Sequence, residues 1–270
     1  MIVMRPLREF RFPVTADCVT PDIFGGKICK EIEELKVWEG NKQKTLGNLF
    51  KIEESDSEKA NITIYGDVSK ARRIGACMKQ GEIAIQGNVG THVGEEMRGG
   101  KITVYGNVGG WAGSMMKNGT IEIHGNASDY MGAPYRGSSQ GMRGGRIIVH
   151  GNVGSEAGAF MRNGVIKIYG GAGQFVGFHM VDGTIYAEKD CEERAGACML
   201  GGKVIIGGSI ESVLPTFTID SIKPKAKIEE DETVNGPLYV FLGDVAEEGN
   251  GKLYVHKEKN PHLSHFERFL

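Results

Sequence analysis

Glycine recurs in this chain at a fixed spacing, and that spacing constrains the fold more than any other feature. Aligned glycines fall at Gly81, Gly100, Gly119, Gly145, Gly164, Gly183 and Gly202, with successive differences of 19, 19, 26, 19, 19 and 19. A period of this size marks a repeat architecture, in which each unit is too small to bury its own apolar face and must stack on its neighbours. The unit reads G-x-I-x-[IV]-x-G-N-V-G-x-x-[AV]-G-x-x-M-[KR]-x, and a slightly longer first copy starts at Ile62. Glycine is 41 of 270 residues, roughly twice its usual share, and the repeat accounts for the excess.

Each unit opens with alternation: Ile83 and Ile85, Ile102 and Val104, Ile121 and Ile123, Ile147 and Val149, Ile166 and Ile168, Val204 and Ile206. Period two with β-branched residues means a strand with one buried face. One clear strand per unit, with no helical periodicity, predicts that stacked units pair their strands in parallel. The expected fold is therefore all-β, a right-handed parallel β-helix (solenoid) of about seven to eight coils over residues 61–208. Residues 1–60 lack the repeat and are expected to be an N-terminal β cap, with strand-like Lys36 to Trp38 and Leu49 to Ile52 around a Gly40 and Asn41 turn. Residues 209–270 are expected to be an irregular C-terminal extension, with short strands near Phe217, Leu238 and Leu253 and a solvated, flexible Glu229 to Glu232 run.

The columns of the repeat carry structural expectations. Gly66, Gly87, Gly106, Gly125, Gly151 and Gly170 end the strands where the chain turns, and the following Asn88, Asn107, Asn126 and Asn152 also tolerate φ > 0. A second column, Gly75, Gly94, Gly113, Gly132, Gly158, Gly177 and Gly196, is expected to let stacked backbones approach closely. Met78, Met97, Met116, Met142, Met161, Met180 and Met199 are seven of the 11 methionines and read as an interior ladder filling irregular gaps. A soft-metal site is the alternative for that column, with no cysteine or histidine accompanying it throughout. The asparagines either form a hydrogen-bonded ladder or sit in solvated turns. Lys189 breaks the first column, so regularity is expected to loosen near the last coils.

Three features face outward. The extra residues, roughly 133–139 with Pro134 and Tyr135, form a loop projecting from the stack, either a binding element or a neutral insertion. Lys79, Arg98, Lys117, Arg143 and Arg162 make a basic stripe, either paired locally with Glu95 and Glu96 or facing an acidic partner. Tyr65, Tyr105, His124, His150 and Tyr169 make an aromatic column, read as a docking face; His124 and His150 have no carboxylate in their own column to complete a metal site.

Composition narrows the function. With 32 basic and 34 acidic residues the formal charge is −2, which gives no sign of nucleic-acid binding. No apolar run approaches the ~20 residues of a membrane span, and no signal core opens the chain. Cys18, Cys29, Cys77, Cys191 and Cys198 form no CxxC pair, so reduced thiols in the cytoplasm are expected. GxSxG, HExxH and P-loop motifs are missing, as is a GxGxxG between strand and helix. A carbohydrate-active enzyme would line a groove with carboxylates, yet Glu122 and Glu188 stand isolated in the strand columns. No catalytic, cofactor-binding or metal-binding residue is therefore expected.

The unit G-x-x-M-x-x-G-x-I-x-[IV]-x-G, seen as Gly94 to Gly106, Gly113 to Gly125 and Gly158 to Gly170 and with variation in three further copies, resembles the repeat of the C subunits of formylmethanofuran dehydrogenases. It is more distantly similar to the C-terminal domain of the glutamate synthase large subunit. The resemblance spans about 62–208. It implies a cytoplasmic complex that reduces CO2 with methanofuran to formylmethanofuran, the entry step of methanogenesis. It implies partner subunits too: a pterin-binding subunit with tungsten or molybdenum, iron–sulfur subunits, and an amidohydrolase-like subunit with a two-metal site. This chain would be a non-catalytic scaffold without a cofactor of its own. The C subunit of a methylotroph formyltransferase/hydrolase complex, or a free-standing glutamate synthase subunit, is the alternative.

Overall fold

The protein is described here by a computed structural model, which covers residues 1–56 and 60–270. Among the described residues, five strands precede the repeats: β1 (Ile2–Pro6), β2 (Val14–Thr15), β3 (Lys36–Glu39), β4 (Lys42–Thr45) and β5 (Phe50–Glu54). The repeats supply β6 (Ile62–Tyr65), β7 (Ala71–Arg72), β8 (Glu82–Gln86), β9 (Arg98–Val104), β10 (Asn118–Ile123), β11 (Arg143–Val149), β12 (Asn163–Ile168), β13 (Thr184–Ala187) and β14 (Lys203–Ile206). The C-terminal part adds β15 (Thr218–Glu229), β16 (Glu232–Gly243) and β17 (Gly251–His256).

The alternating residues form a ladder held in register by the repeat. Ile83 lies opposite Ile102, Ile102 opposite Ile121, Ile121 opposite Ile147, Ile147 opposite Ile166, and Ile166 opposite Ile185. The seven extra residues between β10 and β11 thus leave the register unchanged. All of these isoleucines are buried, and the methionine column from Met78 to Met199 is wholly buried beside them. Burying each such side chain stabilises by about 1.5–3 kcal/mol, so a sequence that repeats the pattern builds one continuous core.

The regular parallel β-helix expected from the repeat is corrected by the strand pairing. The chain makes a 13-stranded mixed sheet in the order β15-β16-β17-β14-β13-β12-β11-β10-β9-β8-β6-β1-β5, and a separate four-stranded sheet β4-β3-β2-β7. Pairing is parallel from β1 to β17 along the middle and antiparallel at both ends, where β5 adds to β1 and the β15–β16 hairpin adds to β17. Away from this sheet, successive repeats from Val68 to Cys191 meet through single parallel bridges, Val68 to Val89 and Val89 to Val108 among them. Among the described residues no second continuous ladder closes a solenoid. The physical reason lies in the unit: only its first few residues alternate with β-branched side chains, and the rest is glycine-rich turn.

The two glycine columns differ from the roles expected of them, except at Gly66, which has φ +103° at its strand end. The second column has left-handed backbone throughout, φ +64° at Gly94 and +70° at Gly158, and a Cβ on Gly94 would stand 2.5 Å from Ile121 Cδ1. The strand-end column is the one pressed by stacked backbone: a Cβ on Gly106 would lie 2.5 Å from the carbonyl of Gly87. The asparagines do not take positive φ. They form a ladder by a different bond from stacked amides: Asn88 Oδ1 accepts from the Asn107 backbone N–H at 2.9 Å, and Asn107 Oδ1 from that of Asn126 at 2.8 Å.

Residues 209–270 are more ordered than the sequence suggests. Two 12-residue strands form a long hairpin, and its Ala226, Ile228 and Leu238 pack with Tyr186 and Ile205 in a second buried cluster. The acidic run is no free connector. Glu229 takes Arg146 through Nε and Nη2 at 2.8 and 3.0 Å and Lys167 at 2.9 Å, and Glu232 also pairs with Lys167.

Candidate functional site

The insertion and the repeats beneath it shape a cleft on the surface. Three consecutive repeats place His92, Trp111 and Tyr130 at one level, each with positive φ, and their rings stack: His92 on Trp111 at 5.3 Å and Trp111 on Tyr130 at 4.4 Å between centroids. The loop folds back onto this stack instead of projecting. The Tyr135 ring lies 5.7 Å from His92, and its hydroxyl accepts from Arg73 Nη1 at 3.0 Å. Ser114 Oγ donates to the Ala133 carbonyl at 2.7 Å, and Arg162 donates to the Ser139 carbonyl at 3.4 Å. Between loop and stack lies a cleft of about 360 Å³, lined by Trp111, Tyr130, Pro134, Tyr135, Arg136 and Phe160.

Electrostatics under the loop are tightly coupled. Arg73 donates to the buried Glu95 carboxylate at 3.0 Å as well as to Tyr135. Burial pushes the Glu95 carboxyl up, against the pull of the Arg73 charge. Burial also lowers His92, and the charges of Arg73 and Arg72 push in the same direction. The His92 ring, stacked behind Trp111 and Tyr135, is therefore favoured in its neutral form. This aromatic stack was not singled out from the sequence, although the 19-residue spacing of positions 92, 111 and 130 carried the signal.

The other outward features are placed as follows. In the basic stripe Lys117 pairs with Glu96 at 2.8 Å, whereas Glu95 turns away to Arg73. The aromatic column lies on the outer face of the large sheet. Tyr105 stacks on His124 at 4.8 Å, His124 on His150 at 4.8 Å, and His150 on Tyr169 at 5.4 Å. Tyr65, farther along, lies under the guanidinium of Arg5 at 4.7 Å. A carboxylate does reach this column: Glu122 Oε1 is 3.3 Å from His150 Nε2 and 4.0 Å from His124 Nε2. It was missed because it belongs to the neighbouring outward position of the same strand, two residues before His124.

Known proteins share both the sequence and this architecture. The C subunit of the tungsten-containing formylmethanofuran dehydrogenase 2 of Methanococcus maripaludis is 47% identical over 257 residues, 93% of this chain and 94% of that one. This chain belongs to the family of formylmethanofuran dehydrogenase C subunits. The C subunit of the molybdenum-containing formylmethanofuran dehydrogenase 1 of Methanothermobacter marburgensis is 44% identical over 92 residues, and the matched stretch spans only 23% of that protein. No family model matches the chain. A chain in the crystal structure of the formyltransferase/hydrolase complex from Methylorubrum extorquens, determined with methylofuran, superposes with a TM-score of 0.84 at 28% identity, covering 94% of this chain and 99% of that one. The higher identity to the dehydrogenase protein, sustained along nearly the whole chain, favours that reading over the methylotroph and glutamate synthase alternatives. Among the described residues no helix is long and apolar enough to cross a membrane.

Proposed function

We propose that this chain is a non-catalytic structural subunit of a cytoplasmic formylmethanofuran dehydrogenase complex that reduces CO2 with methanofuran to formylmethanofuran. It scaffolds a pterin-binding subunit that holds tungsten or molybdenum, an amidohydrolase-like subunit with two metals, and iron–sulfur subunits. The observation that carries this reading is the 47% identity over 93% of the chain, because it extends through the N- and C-terminal segments outside the repeat. Uniform columns cannot distinguish one partner from another, whereas terminal segments and an insertion can. The 133–139 loop and its aromatic cleft are the favoured contact, since desolvated aromatic and arginine side chains are the usual anchors of protein interfaces.

The test is coexpression of the tagged chain with the pterin-binding and amidohydrolase-like subunits, followed by size exclusion and intact mass measurement. A single species holding all three at fixed stoichiometry is expected, with formylmethanofuran formed from CO2, methanofuran and an added low-potential electron donor only in the assembly. Turnover by the isolated chain, or elution free of both partners, would sink the reading.

A further inference from the structure

The outer face of β10 and β11 brings two imidazoles and a carboxylate to one point. Glu122 and His124 alternate on the outward side of one strand edge, and the pairing of Ile123 with Val149 sets His150 beside His124. Their ligand atoms, one from each residue, all lie within 4.8 Å of one another. Tyr105 and Tyr169 sandwich the two imidazoles, which lie 10° from parallel, so both rings are held with Nε2 toward Glu122. Lys101 Nζ occupies the other carboxylate oxygen, Oε2, at 2.9 Å, leaving Oε1 to face the imidazoles.

We propose that Glu122, His124 and His150 form a three-ligand surface site for one divalent transition-metal ion of the zinc class. Zinc bonds of ~2.1 Å in tetrahedral array put ligand atoms about 3.4 Å apart. Glu122 Oε1 and His150 Nε2 already stand at 3.3 Å, and His124, 4.0 Å from the same oxygen and stacked on His150 at 4.8 Å between ring centroids, joins them by tilting out of the stack. Two nitrogen donors and a single carboxylate oxygen select zinc, cobalt or nickel over magnesium and calcium, which require oxygen cages. The Lys101 contact has the form of an outer-shell bond that fixes a ligating carboxylate. The histidine side chains are 39% and 40% exposed, so the fourth position opens outward and takes water or a donor from outside the chain. Such an ion would tie β10 to β11, the two repeats separated by the insertion. The inference stands on this chain's own side chains and is independent of the assembly proposed above.

The full chain, stripped of metal, would be titrated with Zn2+ by calorimetry and with Co2+ by visible absorption. One equivalent should bind, with cobalt d–d bands and no thiolate charge-transfer band. H124Q and H150Q should each abolish the site, and E122Q should weaken it by at least ~10-fold, while H92Q and H179Q leave it intact. Zinc should raise the melting temperature of the wild type and not of H124Q/H150Q, as expected for a ligand bound only by the folded state. Failure of the wild type to take up one equivalent would overturn the proposal. So would uptake that persists in the double variant, or a thiolate band placing the metal at a cysteine.

Discussion

A Cβ at Gly106 and a Cβ at Gly94 fail for different reasons, and the two failures are separable. Gly106 has no left-handed backbone to relieve, but its Cβ would meet the Gly87 carbonyl of the preceding repeat at 2.5 Å. Backbone cannot rotate away, so Gly106→Val should cost about 3 kcal/mol or more, read as a lower melting temperature. Gly94→Ala adds a methyl at φ +64° that points at a flexible Ile121 δ-methyl, and the loss should be smaller, ~1–2 kcal/mol. Equal melting shifts would show that the two columns have one role. Glu39 supplies a pH signature at the same scale. Hydrogen bonds from Arg8 and then Lys44 hold its carboxyl down at about 2 against an ordinary 4.5. A lowered carboxyl stabilises above its unfolded pKa and loses that contribution as pH falls through its folded one. Wild type should therefore lose stability progressively between about pH 4.5 and 2, and Glu39→Gln should be less stable at neutral pH with a flatter acid limb in thermal melts.

At the scale of elements, the insertion and the hairpin are both pinned to the repeats, by different forces. Deleting 133–139 restores a 19-residue spacing and removes the Tyr135 and Ala133 hydrogen bonds, each worth about 1 kcal/mol. The isolated chain should keep its circular dichroism spectrum with a modestly lower melting temperature, and copurification with the other subunits should weaken. Full stoichiometry and activity in the deleted form would make the loop a neutral insertion. The hairpin tip instead rests on charge. Burial lowers the Lys167 ammonium, yet hydrogen bonds to Glu232 and Glu229 outweigh it and leave the group raised. E229Q/E232Q strands a cation whose side chain is only 8% exposed, and should cost about 1–3 kcal/mol. Adding Lys167→Met to those changes should recover much of the loss, because the stranded charge and not the missing pair is the penalty. Urea denaturation of the wild type and the two variants checks the order.

Across the whole molecule one buried cluster runs from Ile2 to Leu263, so the terminal segments complete the core that the repeats begin. Phe217 faces Gly196, and Met199 packs against Gly251. A chain truncated after residue 208 would lose Phe217 and Gly251, uncover Met199 and leave the edge of β14 bare. It should aggregate in light scattering, since an unpaired strand edge beside uncovered apolar core recruits other edges. The repeat, its register, the buried methionine column and the aromatic column were legible in the sequence, because a 19-residue period and a period-two strand are properties of spacing alone. Family membership was legible for the same reason, the motif being a spacing of glycines and a methionine. Spacing does not say how the rest of each unit pairs. That choice between a closed parallel solenoid and a mixed sheet with antiparallel ends was made by glycine-rich turns too poor in side chains to form a second ladder, and by two C-terminal strands with no repeat to announce them. Nor does spacing bring together residues from different columns. The fold-back of Tyr135 onto Arg73 and His92, and the approach of Glu122 to His124 and His150, depend on where neighbouring strands and loops set their side chains in three dimensions, which only the tertiary structure decides.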